Sequence, residues 1–311
     1  MLSSQTTKKG FILSIVLWIV VVILLGITTI AFFSKDVLTL SNGLKNKLET
    51  QMVSEDILEL LKYHITTSDY DHISIISNNN VYSKYKFPTK LILDNRWYSI
   101  TKDIRIRIQD TSSLANIITN SPKTLATLAT NDSQRQLFYT IKDSLKDWKD
   151  KDNVVSLNGA ELSTYQLHKE GDFKPRNNGA IQDTNELRLI NGIDTLSHKQ
   201  WESFKKRIYY GNPSLVNLSL VDKRYLSYLL RIREDDAQTL IDIREKDMTS
   251  FIKKIVPLKI FDYDYMSFSL SRQLMIEIEV TKDNAKTILK STILFKPKQN
   301  KQYTTIDYKS L

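Results

Sequence analysis

The chain has no cysteine. Disulfides, thiolate zinc sites and thiol catalysis are therefore all excluded, and a domain outside the cytoplasm must hold together by its core or by a bound metal. Glycine and proline are scarce, at eight and six in 311 residues, so most of the chain is expected to fold into regular elements. Histidine is scarcer still. The four, His64, His72, His168 and His198, lie far apart and form no HExxH or related ligand pattern. G-x-S-x-G, P-loop and dinucleotide fingerprints are absent too. Asp262 and Asp264 alternate with aromatics and read as the wet face of a strand rather than a catalytic pair. An enzyme is not the expectation. The formal net charge of +9 is spread among 35 acids and reads as a solvated surface.

What the chain does have is one long apolar run. Residues 11–33 carry no charge and no proline, and as a helix they reach roughly 34 Å, enough to span a hydrocarbon core. The run is too long for a secretory signal peptide, and Ser34-Lys35-Asp36 after it offers no cleavage site. Lys8 and Lys9 before it favour a cytoplasmic N-terminus, with everything past Lys35 on the far side. Two readings stay open here. One is a plain signal anchor. The other rests on Lys8-Lys9-Gly10-Phe11-Ile12-Leu13, which resembles a type IV prepilin signal, with a peptidase cutting after Gly10 and methylating Phe11. The glutamate usual at the fifth position after the cut is replaced by Ile15.

Past the run, Val37, Leu40, Leu44, Leu48, Met52, Ile57, Leu58, Leu61 and Ile65 recur at helical spacing. They predict a helix continuing out of the membrane to residue 65, with a kink available at Asn42-Gly43. A loop is expected over 68–80 and a strand over 81–87. Over 97–110, Ile104, Ile106 and Ile108 alternate with Arg105, Arg107 and Gln109. Helical stretches follow at 113–119, 122–130, 133–148 and 197–208, the last capped by Ser197, with the segment 184–192 between them. Two more are expected at 223–231 and 235–244. Strands return at 261–265 and 274–280, and Asp283-Asn284 turns the chain back through 287–295 as a hairpin. A helical block enclosed by the two halves of a sheet reads as an insertion.

Several stretches of this middle region resemble, in order, the general secretion pathway protein K family, minor pseudopilins of the type II secretion system. They are Asp147-Trp148-Lys149-Asp150-Lys151-Asp152, Gly159-Ala160-Glu161, Lys174-Pro175-Arg176-Asn177, Glu186-Leu187-Arg188-Leu189-Ile190-Asn191-Gly192 and Val216-Asn217-Leu218. That subfamily characteristically lacks the fifth-position glutamate, as Ile15 does here. The resemblance implies an α+β fold: a pilin spine helix, an antiparallel pilin-like sheet and an inserted all-α domain. The expected divisions are a leader at 1–10, a transmembrane helix at 11–33, spine and first strands at 34–111, the insertion at 112–213, and short helices with the last strands at 214–311. It also implies a single-pass protein of the bacterial inner membrane with its C-terminal domain in the periplasm. Its expected partners are the other minor pseudopilins and the prepilin peptidase, with no nucleic acid. Its expected role is to start or cap the pseudopilus at its tip.

By spacing alone, Asp147, Asp150, Asp152 and Glu161 make either a solvated acidic loop or a set of hard oxygen ligands suited to Ca²⁺. The resemblance implies calcium, which would also compensate for the missing disulfides. A nucleic-acid-binding class is a further reading. Residues 187–208 and 226–245 vaguely resemble helix-hairpin-helix units that grip DNA phosphates. Their hairpins, Asn191-Gly192-Ile193-Asp194 and Arg233-Glu234-Asp235-Asp236, carry acids where a phosphate would sit. A minor pilin of a type IV pilus is a further alternative.

Overall fold

The computed structural model describes residues 6–77, 85–117, 125, 132–168, 181, 184–209, 215–295 and 303–310. Helix α1, Thr6–Thr66, is unbroken over 61 residues and roughly 90 Å. Asn42-Gly43 does not interrupt it, and nothing lies near Gly43 to force a bend. Its apolar part has a window of mean hydropathy 2.9 with none of it buried, which makes it long and apolar enough to cross a membrane. Only from Asn46 onward does α1 meet the rest of the protein. There Asn46 donates to Asp283, Lys47 Nζ to the Lys286 carbonyl, and the Thr50 and Thr287 hydroxyls meet at 2.7 Å. Glu49 pairs with Lys282.

Strands β1 (Asp69–Tyr70) and β2 (Ser74–Ile76), within the 68–80 segment expected to be loop, form a small antiparallel sheet with β3 (Lys90–Ile92). The strand expected over 81–87 is not found where the chain is described. Tyr85 and Phe87 are buried but irregular, and 81–84 lie outside the described residues. The main sheet is built from β4 (Asp94–Ser99), β5 (Ile104–Asp110), β10 (Gln273–Lys282), β11 (Ala285–Leu294) and β12 (Thr304–Ser310), in the order β12-β11-β10-β5-β4, all antiparallel. Alternation sets its two faces. Ile104, Ile106, Ile108, Leu274, Ile276 and Ile278 point inward with Ile57, Leu61 and Ile65 of α1 into one core. The outer face carries Arg105 against Glu279 at 2.9 Å and Arg107 against Glu277 at 2.6 Å. Trp97 lies under both guanidinium groups, at 4.4 and 4.6 Å.

Between β5 and β10 the chain builds a second core. Its described elements are a 3₁₀ turn (Thr111–Ser113), β6 (Ala115–Asn116), α2 (Asp132–Asp147), α3 (Leu162–His168), a 3₁₀ helix (Thr184–Leu189), α4 (His198–Lys205), β7 (Ile208–Tyr209), β8 (Val216–Asn217), α5 (Lys223–Leu230), α6 (Glu234–Lys246), α7 (Met248–Ile255) and β9 (Met266–Ser267). Pairs β6–β7 and β8–β9 are parallel. The helix expected at 113–119 is, over 113–117, instead the end of the 3₁₀ turn and β6, because Ala115 and Asn116 pair with Ile208 and Tyr209; 118–119 lie outside the described residues. Residues 122–130 lie outside the described set except Leu125, which is helical and buried. The strand expected at 261–265 is a turn in which Phe261 stacks on Phe268 at 5.3 Å.

The boundary expected at residue 213 falls inside this second core. Tyr225, Leu226, Leu229, Ile241, Phe251 and Ile255 pack in one cluster with Phe138, Ile141, Trp148 and Trp201. The helices after 214 thus share the helical block's interior, not the sheet's. Asp110, fully buried, fastens the block where the chain leaves and rejoins the sheet. Its carboxylate accepts from the Ser112 amide and hydroxyl at 2.8 and 2.6 Å and from the Ser271 amide and hydroxyl at the same distances.

Candidate metal centre

Helix α2 ends at Asp147, and the next turn brings Asp150 back over it, its amide donating to the Lys146 carbonyl at 3.1 Å. The chain then loops out and returns through Gly159-Ala160-Glu161 to start α3, where the Glu161 carbonyl accepts from Thr164 and Tyr165. Oxygen atoms of Asp147, Asp150 and Glu161 lie within 4.8 Å of one another. Asp147 is wholly buried and Glu161 only 1% exposed.

Asp147 is fixed in place. Its Oδ2 accepts from the Ser156 amide at 3.0 Å and its Oδ1 from the Ser156 hydroxyl at 2.5 Å. Gly159 makes room for it, because a Cβ there would overlap Asp147 Oδ2 and come within 2.8 Å of its Cγ. Asp143, one turn earlier on α2, accepts from the Asn158 amide and side chain at 3.1 and 3.0 Å, closing the root of the loop. Sequence spacing does not single out Asp143, Ser156 or Gly159 in these roles. The signal for Asp143 is its place four residues before Asp147 on one helix face.

Glu161 is the anomaly. Both its carboxylate oxygens are buried without a hydrogen-bond partner, and so is Asp150 Oδ1. Burial, then the charges of Asp147 and Asp150, push the Glu161 carboxyl up from its ordinary value. Burial, then Asp152 and Asp147, does the same to Asp150. Buried, unpaired carboxylates this close together are strongly unfavourable unless a cation or a proton is shared among them. A divalent ion with hard-oxygen preference fits the donor set, and calcium accepts six to eight such ligands. Asp147, Asp150 and Glu161 are the residues that would hold it. Asp152, expected as a fourth ligand, stands outside this group; it is exposed, and its Oδ1 accepts from the Val154 amide at 2.8 Å, an Asx turn.

The motifs singled out in the sequence converge here. Trp148 Nε1 donates to Glu186 Oε1 at 3.1 Å, and its ring meets Tyr165 edge-on at 5.3 Å. Tyr165 accepts from the Asn191 amide at 3.1 Å, and burial raises its phenol to about 12. Gly192 follows with φ +91, packed against Ile141 of α2. Its amide donates to Asp194 Oδ1 at 3.0 Å and so is engaged within the hairpin, away from any phosphate. The segment 174–177 lies outside the described residues. Gly10 and Phe11 lie within α1.

Residues 108–204 match the family described as "Type II secretion system (T2SS), protein K". In three dimensions the chain is similar to a chain from "The Crystal Structure of the GspK-GspI-GspJ complex from enterotoxigenic Escherichia coli Type 2 Secretion System". That likeness has a TM-score of 0.56 at 15% identity and covers 87% of this chain and 97% of the other. Among curated proteins none matches the sequence. The match over residues 108–204 and the likeness in fold together support a type II secretion system protein K minor pseudopilin.

Proposed function

We propose that this minor pseudopilin sits at the tip of the type II secretion pseudopilus and starts or caps its assembly for protein export. The observation that carries this reading is the helical block between β5 and β10. It adds a second core to a pilin-sized sheet, bulk that would obstruct a subunit stacked above. Ile15 supports it: without a carboxylate at the fifth mature position, the chain offers no partner to a neighbour's N-terminal ammonium in the membrane. The role is structural rather than catalytic.

Maturation removes residues 1–10 after Gly10 and methylates Phe11, α1 anchors the protein once in the inner membrane, and the remainder lies in the periplasm. The prepilin peptidase and the other minor pseudopilins are its partners; the exposed apolar spine from Val37 to Met52 is available to pack against their helices. Calcium held by Asp147, Asp150 and Glu161 stiffens the helical block. Co-purification of the full chain in mild detergent tests the assembly reading. The other minor pseudopilins of the same cell should come with it, and recovery of the chain alone would count against it.

A further inference from the structure

The loop between α2 and α3 carries an apolar tip that neither the metal centre nor the two cores use. Val154, Val155 and Leu157 are 74%, 49% and 95% exposed, and Leu157 is the most exposed large hydrophobic among the described residues. These side chains are held out by a braced loop rather than left on a slack one. Asp152 takes the Val154 amide, Asp147 takes Ser156 through both amide and hydroxyl, and Asp143 takes Asn158 twice. The loop's ordering entropy is thus spent before anything binds.

Charge at the same place depends on the metal centre. Residues 142–161 hold four lysines and five acids, a formal charge of −1 with all of them ionised. A divalent cation on Asp147, Asp150 and Glu161 turns that to +1, with Lys146 and Lys151 exposed beside the apolar tip. A convex loop of three aliphatic side chains lacks the tryptophan, tyrosine and arginine anchors on which protein interfaces concentrate their energy. Aliphatic side chains flanked by Lys146, whose Nζ donates to the Ser156 hydroxyl at 3.4 Å, and by Lys151 suit the boundary between headgroups and acyl chains of an anionic bilayer.

We infer that Val154, Val155 and Leu157 form a cation-gated tip that inserts into an anionic phospholipid surface. This rests on cation binding at the Asp147–Asp150–Glu161 centre. The cation removes the local negative charge that would repel the headgroups, and it ties the loop's two ends, Asp147 and Glu161, to one another.

The chain's lack of cysteine makes the test clean. Full-length Leu157→Cys, labelled with an environment-sensitive fluorophore and held by α1 in phosphatidylcholine nanodiscs, is mixed with vesicles of phosphatidylglycerol or phosphatidylcholine, in Ca²⁺ or in EGTA. A blue shift is expected only with phosphatidylglycerol and Ca²⁺, with apparent vesicle affinity roughly ten-fold or more above that in EGTA. The shift should vanish when Val154→Asp and Val155→Asp are added. Calcium binding is read separately, as the rise in melting temperature of the same protein. A calcium-dependent rise without a vesicle-induced blue shift overturns the lipid tip while leaving the metal centre standing. A blue shift of equal size in EGTA, or with phosphatidylcholine vesicles, overturns the cation gate. No melting response and no blue shift defeat both readings. A shift with the purified minor pseudopilins but none with vesicles replaces the bilayer by a protein groove.

Discussion

Glu161 concentrates the metal centre's energetics in one side chain. Its carboxyl is raised above the ordinary value of 4.5 by burial and by two neighbouring carboxylates. For a group raised in the folded state, the stabilising contribution is present below the unfolded value and is lost as pH rises through the folded one. Without a cation, then, the ionised form of Glu161 opposes folding. Acidifying a calcium-free sample from neutrality toward the range just above 4.5 should strengthen the helical block. Added Ca²⁺ supplies by binding what the proton supplies by neutralising. Glu161→Gln is expected to melt higher than the native chain in EGTA and to lose most of the calcium-induced rise. Thermal melts of both proteins in EGTA and in excess Ca²⁺ check the crossover; a variant that melts lower in EGTA and keeps its calcium response would contradict it.

Elements formed as the sequence dictates wherever one periodicity had a single burial to satisfy. Helix α4 is an example. Ser197 accepts from the Gln200 amide at 3.3 Å while Gln200 Oε1 accepts from the Ser197 amide at 3.0 Å, a closed capping box of which the sequence reading names only the Ser197 N-cap. Ser197→Ala should lower stability by about 1 kcal/mol in denaturant titration, with Ser197→Asp retaining most of it. Strands β5, β10 and β11 were legible for the same reason: Ile104, Ile106, Ile108, Leu274, Ile276, Ile278, Leu289 and Ile293 face one core, and Arg105, Arg107, Glu277 and Lys290 lie on the other face. The alternation at Phe261, Tyr263 and Tyr265 misleads because its driving force is aromatic stacking within a turn, with Phe261 against Tyr263 at 4.7 Å and Phe268 at 5.3 Å. Pairs such as β6–β7 join residues some ninety positions apart, a partnership no local pattern announces. The metal centre divides in the same way. Spacing brings Asp147, Asp150 and Glu161 forward, but Asp152 answers to the Val154 amide two residues on, a purely local competitor.

At the scale of the whole molecule, two cores are joined along a seam. The sheet with α1 forms one, the helices from α2 to α7 the other, and the boundary moved beyond residue 213 because α5–α7 bury their apolar faces in the second. Asp110 holds the seam with four hydrogen bonds to Ser112 and Ser271, the residues at which the chain departs and returns. Asp110→Ala should reduce stability by on the order of 3 kcal/mol, because four donors lose their buried acceptor. It should also separate the melting of the two cores in calorimetry; a single sharp transition at the native temperature would show that the seam lies elsewhere. A firm seam matters to the proposed role, since a block that swung freely on the sheet would not reliably obstruct stacking. The placement at the tip is tested most directly by immunogold labelling of sheared pseudopili with antibody against the helical block. Gold at one end of each fibre is the predicted result, and gold distributed along the shaft would contradict it.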